Sequence, residues 1–165
     1  TYPYEWGRAI INGDCESKTK PVETLTLDSN GKKIYVPLQI VLDKKNSKLI
    51  ERSICNLRIP ITVKKNESLV IKNIEQQAET VLEVKSKAVF NLDVSAIGIN
   101  PEVRLFAESK KSEKVRMSVD NKHIITDCGQ EIMLAVNSLV RIEGTGLGKA
   151  SSQAPSLDII SQTCK

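Results

Sequence analysis

Aromatic residues are scarce in this chain. Phe, Trp and Tyr make up 4% of its 165 residues, few for a protein that binds flat ligands by stacking. Histidine is scarcer: His123 is the only one. A Ser-His-Asp or Cys-His catalytic site would have to use it. No G-x-S-x-G nucleophile elbow is present, and Asp120, Asp127 and Cys128 flank His123 only as a turn and a strand would. His123 therefore reads as a surface turn residue. No C-x-x-C pair occurs, a Cys2His2 zinc site is impossible, and a Cys3His site would need three distant loops. No metal and no cofactor are expected. Nothing in the spacing marks a carboxylate pair for glycoside hydrolysis. No apolar run reaches the ~18 residues of a membrane-spanning helix, and neither an internal repeat nor a low-complexity tract is found.

Helix-friendly runs of Ala, Leu and Glu are also thin. Ile, Val and Thr abound, and their branched side chains suit a pleated strand. The stretch Glu51 to Val63, "ERSICNLRIPITV", alternates strongly. Cys55, Leu57, Ile59, Ile61 and Val63 share one face, and Asn56, Arg58, Pro60 and Thr62 the other. "TLTLD" (24–28) and "KIYVPLQIV" (33–41) flank Asn30-Gly31, a strong hairpin signal. Pro37 cannot donate to a ladder, so the second arm is an edge or carries a bulge. Further strands are expected at 68–74, within 79–99, and at 123–128, 131–144 (broken near Asn137) and 156–164. Residues 102–108 and 114–119 read as a hairpin, and a helix is conceivable at 74–84. The expectation is an all-β, antiparallel β-sandwich of about 8–10 short strands with two disulfides. One domain spans 1–165, with an irregular N-terminal arm at 1–23 and a flexible Gly/Ser loop at 145–155.

The cysteines are Cys15, Cys55, Cys128 and Cys164. An even count in a β-rich chain reads as two bridges, hence a secreted or periplasmic protein. Strand parity turns Cys55 inward, where burial makes a thiol inert and argues against a nucleophile. Four cysteines allow three pairings. Cys15–Cys55 with Cys128–Cys164 closes the smaller loops and is the expected one. The chain begins at Thr1, which is compatible with removal of a signal peptide.

The net charge is +4. Lysine doublets stand at 32–33, 44–45, 64–65 and 110–111, but successive hairpin turns alternate between the ends of a sheet. The charges should disperse, so no nucleic-acid partner is expected, and Lys at turns and edges guards against edge pairing. Asn66-Glu67-Ser68 is a glycosylation sequon in an expected turn. Tyr2, Tyr4 and Trp6 alternate along "TYPYEW". They either pack on the sandwich or form an exposed aromatic platform.

Gly13 and Cys15, then Leu27, Asp28 and Gly31, then Arg52, Cys55, Leu57, Ile59 and Pro60, then Cys128 and the late Cys164 form an ordered set. This order resembles a family of small secreted four-cysteine proteins of fungi and bacteria, classed as a domain of unknown function. The resemblance implies secretion, disulfides and an all-β fold, and it implies no catalytic residues. The sequence thus points to a monomeric, non-catalytic module that binds a glycan, a surface or a host or envelope protein. Tyr2, Tyr4, Trp6 and Arg58 are its candidate contacts. A pilin-like structural subunit and a carboxylate-based hydrolase are the alternatives.

Overall fold

Strand β6 (Ile50–Val63) carries the clean alternation and organises one of two sheets. The structure, a computed structural model, describes residues 4–15, 26–27 and 33–164. In β6, Cys55, Leu57, Ile59, Ile61 and Val63 are all buried, as parity requires. On one side β6 pairs with β12 (Glu131–Gly144), from Thr62 opposite Glu131 to Ile50 opposite Glu143. β8 (Ser86–Ala96) and β9 (Ile99–Ser109) follow outward. On the other side lie β1 (Tyr4–Trp6) and β2 (Ile10–Gly13), end to end along β6.

Pro60 explains the gap between β1 and β2. Its carbonyl accepts the Gly7 N–H at 2.8 Å. A strand residue sends its N–H and C=O to the same side, so the N–H that proline lacks faces this gap, and the β12 ladder is untouched. A Cβ on Gly7 would lie 2.4 Å from Pro60 Cγ. Gly7→Val should therefore cost about 1–3 kcal/mol, measurable by urea unfolding.

The second sheet is built on β7 (Glu67–Leu82). Along one edge run β14 (Ser156–Thr163) and β13 (Gly148–Ser152). Along the other run β11 (Ile124–Ile125) and β10 (Glu113–Val119). β5 (Ile40–Lys44) pairs with β13, β4 (Lys33–Tyr35) with β14, and β3 (Thr26–Leu27) with β4. The registers make β4 and β5 one line broken at 36–39, and β13 and β14 one line broken at 153–155. The two breaks abut: the Val36 N–H donates to the Pro155 carbonyl at 2.8 Å. Pro37 and Pro155, lacking N–H groups, are suited to such interruptions. β7 bulges at Asn73, whose φ is +52°, and Asn73 Nδ2 donates to Asp158 Oδ2 at 2.7 Å.

The facing surfaces of the two sheets form the core. Phe90, Leu92, Ile59, Ile71, Ile74 and Leu134 are among its buried members. Gln76 Nε2 donates across the sheets to Ser138 Oγ at 3.3 Å. Phe90 is fully buried, so Phe90→Ala should cost about 3–5 kcal/mol in chemical unfolding.

The architecture is the all-β, antiparallel sandwich with two disulfides that the sequence predicts. Fourteen strands are present among the described residues, and several are long. Four local expectations are corrected. No helix forms at 74–84, because β7 continues to Leu82. The 145–155 stretch contains β13, paired on both sides, rather than being a flexible loop throughout. β9 and β10 are not a hairpin, because β10 joins β7 in the other sheet. β12 runs unbroken through Asn137. Within the expected irregular arm, β1 and β2 are paired strands. Residues 1–3 and 16–25, and the Asn30-Gly31 turn, lie outside the described residues. Cys15 is bonded to Cys55 and Cys128 to Cys164, with Cα separations of 5.0 Å and 6.2 Å.

Candidate functional site

The breaks in the second sheet leave its outer face uneven. Residues of β7 alternate there, with Gln76, Ala78 and Thr80 buried and Gln77 and Glu79 exposed. Where the β13–β14 line is interrupted, Gln153 bonds through its N–H to the Gln77 carbonyl at 2.8 Å. From beneath, Gln76 Nε2 donates to the Gln153 carbonyl at 3.0 Å. The break is therefore held in place from two sides.

Two depressions meet at this point. One, of 390 Å3, is lined by Gln77, Glu79, Lys114, Arg116 and Gln153, among others. The other, of 300 Å3, is lined by Lys33, Tyr35, Glu75, Gln77, Gln153 and Ser156, among others. They share Gln77 and Gln153 and together form a shallow trough. Tyr35, 43% exposed, stands at one end.

Charges in the trough are matched. Arg116 donates to Glu75 Oε2 at 2.7 Å. Lys114 lies opposite Glu79 in register, and Lys33 opposite Asp158. The Arg116 hydrogen bond holds the Glu75 carboxyl below its ordinary value of 4.5, against an opposing push from partial burial; Gln77 and Lys33 add to the lowering. The same bond raises Arg116. A lowered folded-state pKa means that the pair's contribution is present above about 4.5 and is lost as pH falls through the folded value. Carboxyl-detected NMR should give a Glu75 midpoint below 4.5, and Arg116→Gln should move it up toward that value.

The first sheet's outer face has a different pattern. A cross-strand row runs Asn12, Asn56, Asn137, Asp93, Arg104. Arg104 Nε donates to Asp93 Oδ1 at 2.8 Å. A 300 Å3 depression here is lined in part by Ile54 and Leu139.

Of the contact residues picked from sequence, Tyr4 and Trp6 meet each other but not as an exposed platform. Tyr4 is buried, 4% exposed, because it lies opposite the inward Val63 in register. It therefore cannot serve as a surface contact. Trp6 is half-buried against the core and meets Tyr4 edge-on, with ring centroids 5.4 Å apart. Tyr2 lies outside the described residues. Arg58 is exposed on the outer face of the first sheet, away from the trough. The packing alternative thus holds for Tyr4 and Trp6. Sequence reading missed Tyr35, Glu75, Gln77, Arg116 and Gln153. The available signal was Pro37 two residues after Tyr35, which marked a break in an edge strand. Among the described residues, no group of three or more His, Cys, Asp or Glu could hold a metal.

No protein-family model and no curated protein sequence matches the chain, so the four-cysteine resemblance rests on residue order alone. Solved structures show loose similarity. TmCBM61 in complex with β-1,4-galactotriose is 11% identical over 97% of this chain and 89% of that one, with a TM-score of 0.33. A family 11 carbohydrate-binding module from Clostridium thermocellum, in complex with a β-1,3-1,4-mixed-linked tetrasaccharide, is 7% identical. It covers 95% of this chain and 89% of that one, with a TM-score of 0.28. The fold assignment stands on the strand pairing described above: a disulfide-stapled antiparallel β-sandwich.

Proposed function

We propose that the protein is a non-catalytic module that binds a neutral glycan chain in the trough on the outer face of the second sheet. The observation that carries this reading is the trough itself: adjoining depressions lined by amides and paired charges, with exposed Tyr35 at one end. A pyranose ring presents C–H groups that pack on an aromatic face. Its hydroxyls both donate and accept, as do the amides of Gln77 and Gln153. Every charged side chain on the trough has an opposite charge bonded to it or across from it in register, which favours a neutral ligand over an acidic one.

The same features disfavour hydrolysis there. A glycosidase needs one carboxyl with a raised pKa as proton donor, and Glu75 is shifted the other way. The two disulfides support a compartment outside the cytoplasm.

Affinity gels with β-1,4-galactan, mixed-linkage β-glucan, xylan and other neutral polysaccharides test the reading. The wild-type protein should be retarded by at least one of them. The double variant Gln77→Ala, Gln153→Ala should migrate freely. No retardation across the panel, or unchanged retardation of the double variant, would contradict the proposal.

A further inference from the structure

One end of the sandwich combines protruding apolar side chains with an excess of positive charge. Three turns meet there: 45–49 between β5 and β6, 83–85 between β7 and β8, and 145–147 between β12 and β13. The Gly144 N–H donates to the Leu49 carbonyl at 2.8 Å, and the Glu83 N–H to the Leu147 carbonyl at 3.0 Å. Lys44 is buried beneath them, and its Nζ donates to the Asn46 carbonyl at 2.9 Å and the Gly146 carbonyl at 2.8 Å. One ammonium group thus ties two of the turns together. Gly144 and Gly146 permit the close approach: a Cβ would lie 2.1 Å from the Lys85 oxygen and 2.3 Å from the Val84 oxygen respectively.

On this fixed base Val84 is 86% exposed and Leu49 67% exposed, with Ile50 beside Leu49 at 56%. A 550 Å3 depression lined by Val84, Lys85 and Lys110, among others, brings in a fourth turn, 110–112 between β9 and β10. The four turns carry Lys45, Lys48, Lys85, Lys110 and Lys111 and one carboxylate, Glu83; at their bases Asp43 pairs with Lys45, and Glu143, on the lining of the same depression, pairs with Lys87. Glu83 Oε2 accepts the Leu147 N–H at 3.3 Å. Among the described residues Lys48, Lys85, Lys110 and Lys111 form no ion pair. The doublet at Lys64-Lys65 lies at the opposite end, as the alternation of turns requires. Lys44-Lys45 and Lys110-Lys111, far apart in sequence, gather at this one.

We propose that this end docks on an anionic lipid bilayer, with Val84 and Leu49 entering the headgroup region and the surrounding lysines meeting lipid phosphates. Charge complementarity selects an anionic surface. The exposed apolar tips select a bilayer over a soluble polyanion, which would reward the lysines and leave Val84 and Leu49 in water. The proposal is independent of the glycan trough, which lies on a sheet face rather than at this end.

Co-sedimentation with vesicles tests it. The protein should pellet with phosphatidylcholine vesicles containing phosphatidylglycerol, should remain in solution with phosphatidylcholine alone, and should be released by salt. Val84→Asp with Leu49→Asp should lower the vesicle partition coefficient about tenfold or more, and so should Lys85→Glu with Lys110→Glu. Both pairs are exposed, so thermal unfolding should be unchanged. As a second readout, Val84→Trp should give a blue-shifted emission component on mixing with the anionic vesicles. Failure to pellet with them would overturn the proposal. So would a Val84/Leu49 variant that binds vesicles and heparin as the wild type does, which would mark a polyanion site only.

Discussion

Replacing Cys15 and Cys55 together by alanine is expected to cost about 4 kcal/mol of folding stability. The bridge closes a loop of sequence separation 40, and the chain-entropy model assigns about 4 kcal/mol to a loop of that length. Both cysteines lie in the core, so the lost sulfur contacts add to the cost. The bridge ties the end of β2 to the middle of β6, where Gly13 lies opposite Cys55. Without it β2 is held by a short ladder and by few buried side chains, since Ile10 is 57% exposed. Urea unfolding of the double variant against the wild type measures the loss. A loss below about 1 kcal/mol would mean that packing alone holds β1 and β2 in place. The trough is built from the other sheet, so glycan binding should survive the double replacement under conditions where the variant is folded.

Tyr35→Ala is expected to weaken glycan binding about tenfold or more, equivalent to about 1.4 kcal/mol. Tyr35 is the aromatic residue lining the trough, and its ring offers the broadest apolar surface for the C–H face of a sugar. Tyr35→Phe keeps that surface and should retain most of the affinity. The side chain is 43% exposed on an outer face, so removing it should change stability by no more than about 0.5 kcal/mol. Isothermal titration with the polysaccharide that retards the wild type reads this directly. Equal affinity for wild type and Tyr35→Ala would remove the aromatic residue from the site.

The parity of β6 was legible because from Cys55 to Val63 each inward residue is apolar and each outward one except Pro60 is polar. The break at Pro37 was legible because proline lacks a donor wherever it stands. β7 was harder. Its inward positions include Gln76 and Thr80, both buried, so hydropathy does not alternate where burial does. The bulge at Asn73 also shifts the parity, from inward Leu69 and Ile71 to inward Ile74. Those two effects left no strand pattern in 74–84 to set against its good helix propensities. β13 was hidden for another reason. "GKASS" has the composition of a loop, yet it pairs with β5 on one side and β7 on the other, and Ala150 and Ser152 are buried between the sheets. The trough draws on β4, β7, β10 and the 153–155 break, segments brought together only by pairing. No local spacing could have announced it.

The most direct test is to map the bound ligand on the folded protein. Amide resonances followed during titration with the retarding polysaccharide, or an oligosaccharide cut from it, report the contact surface residue by residue. Shifts should concentrate at Lys33 and Tyr35, at Glu75 to Glu79, at Lys114 to Arg116 and at Gln153. Shifts centred instead on Asn137, Asp93 and Arg104 would place the ligand on the wrong sheet and contradict the proposal.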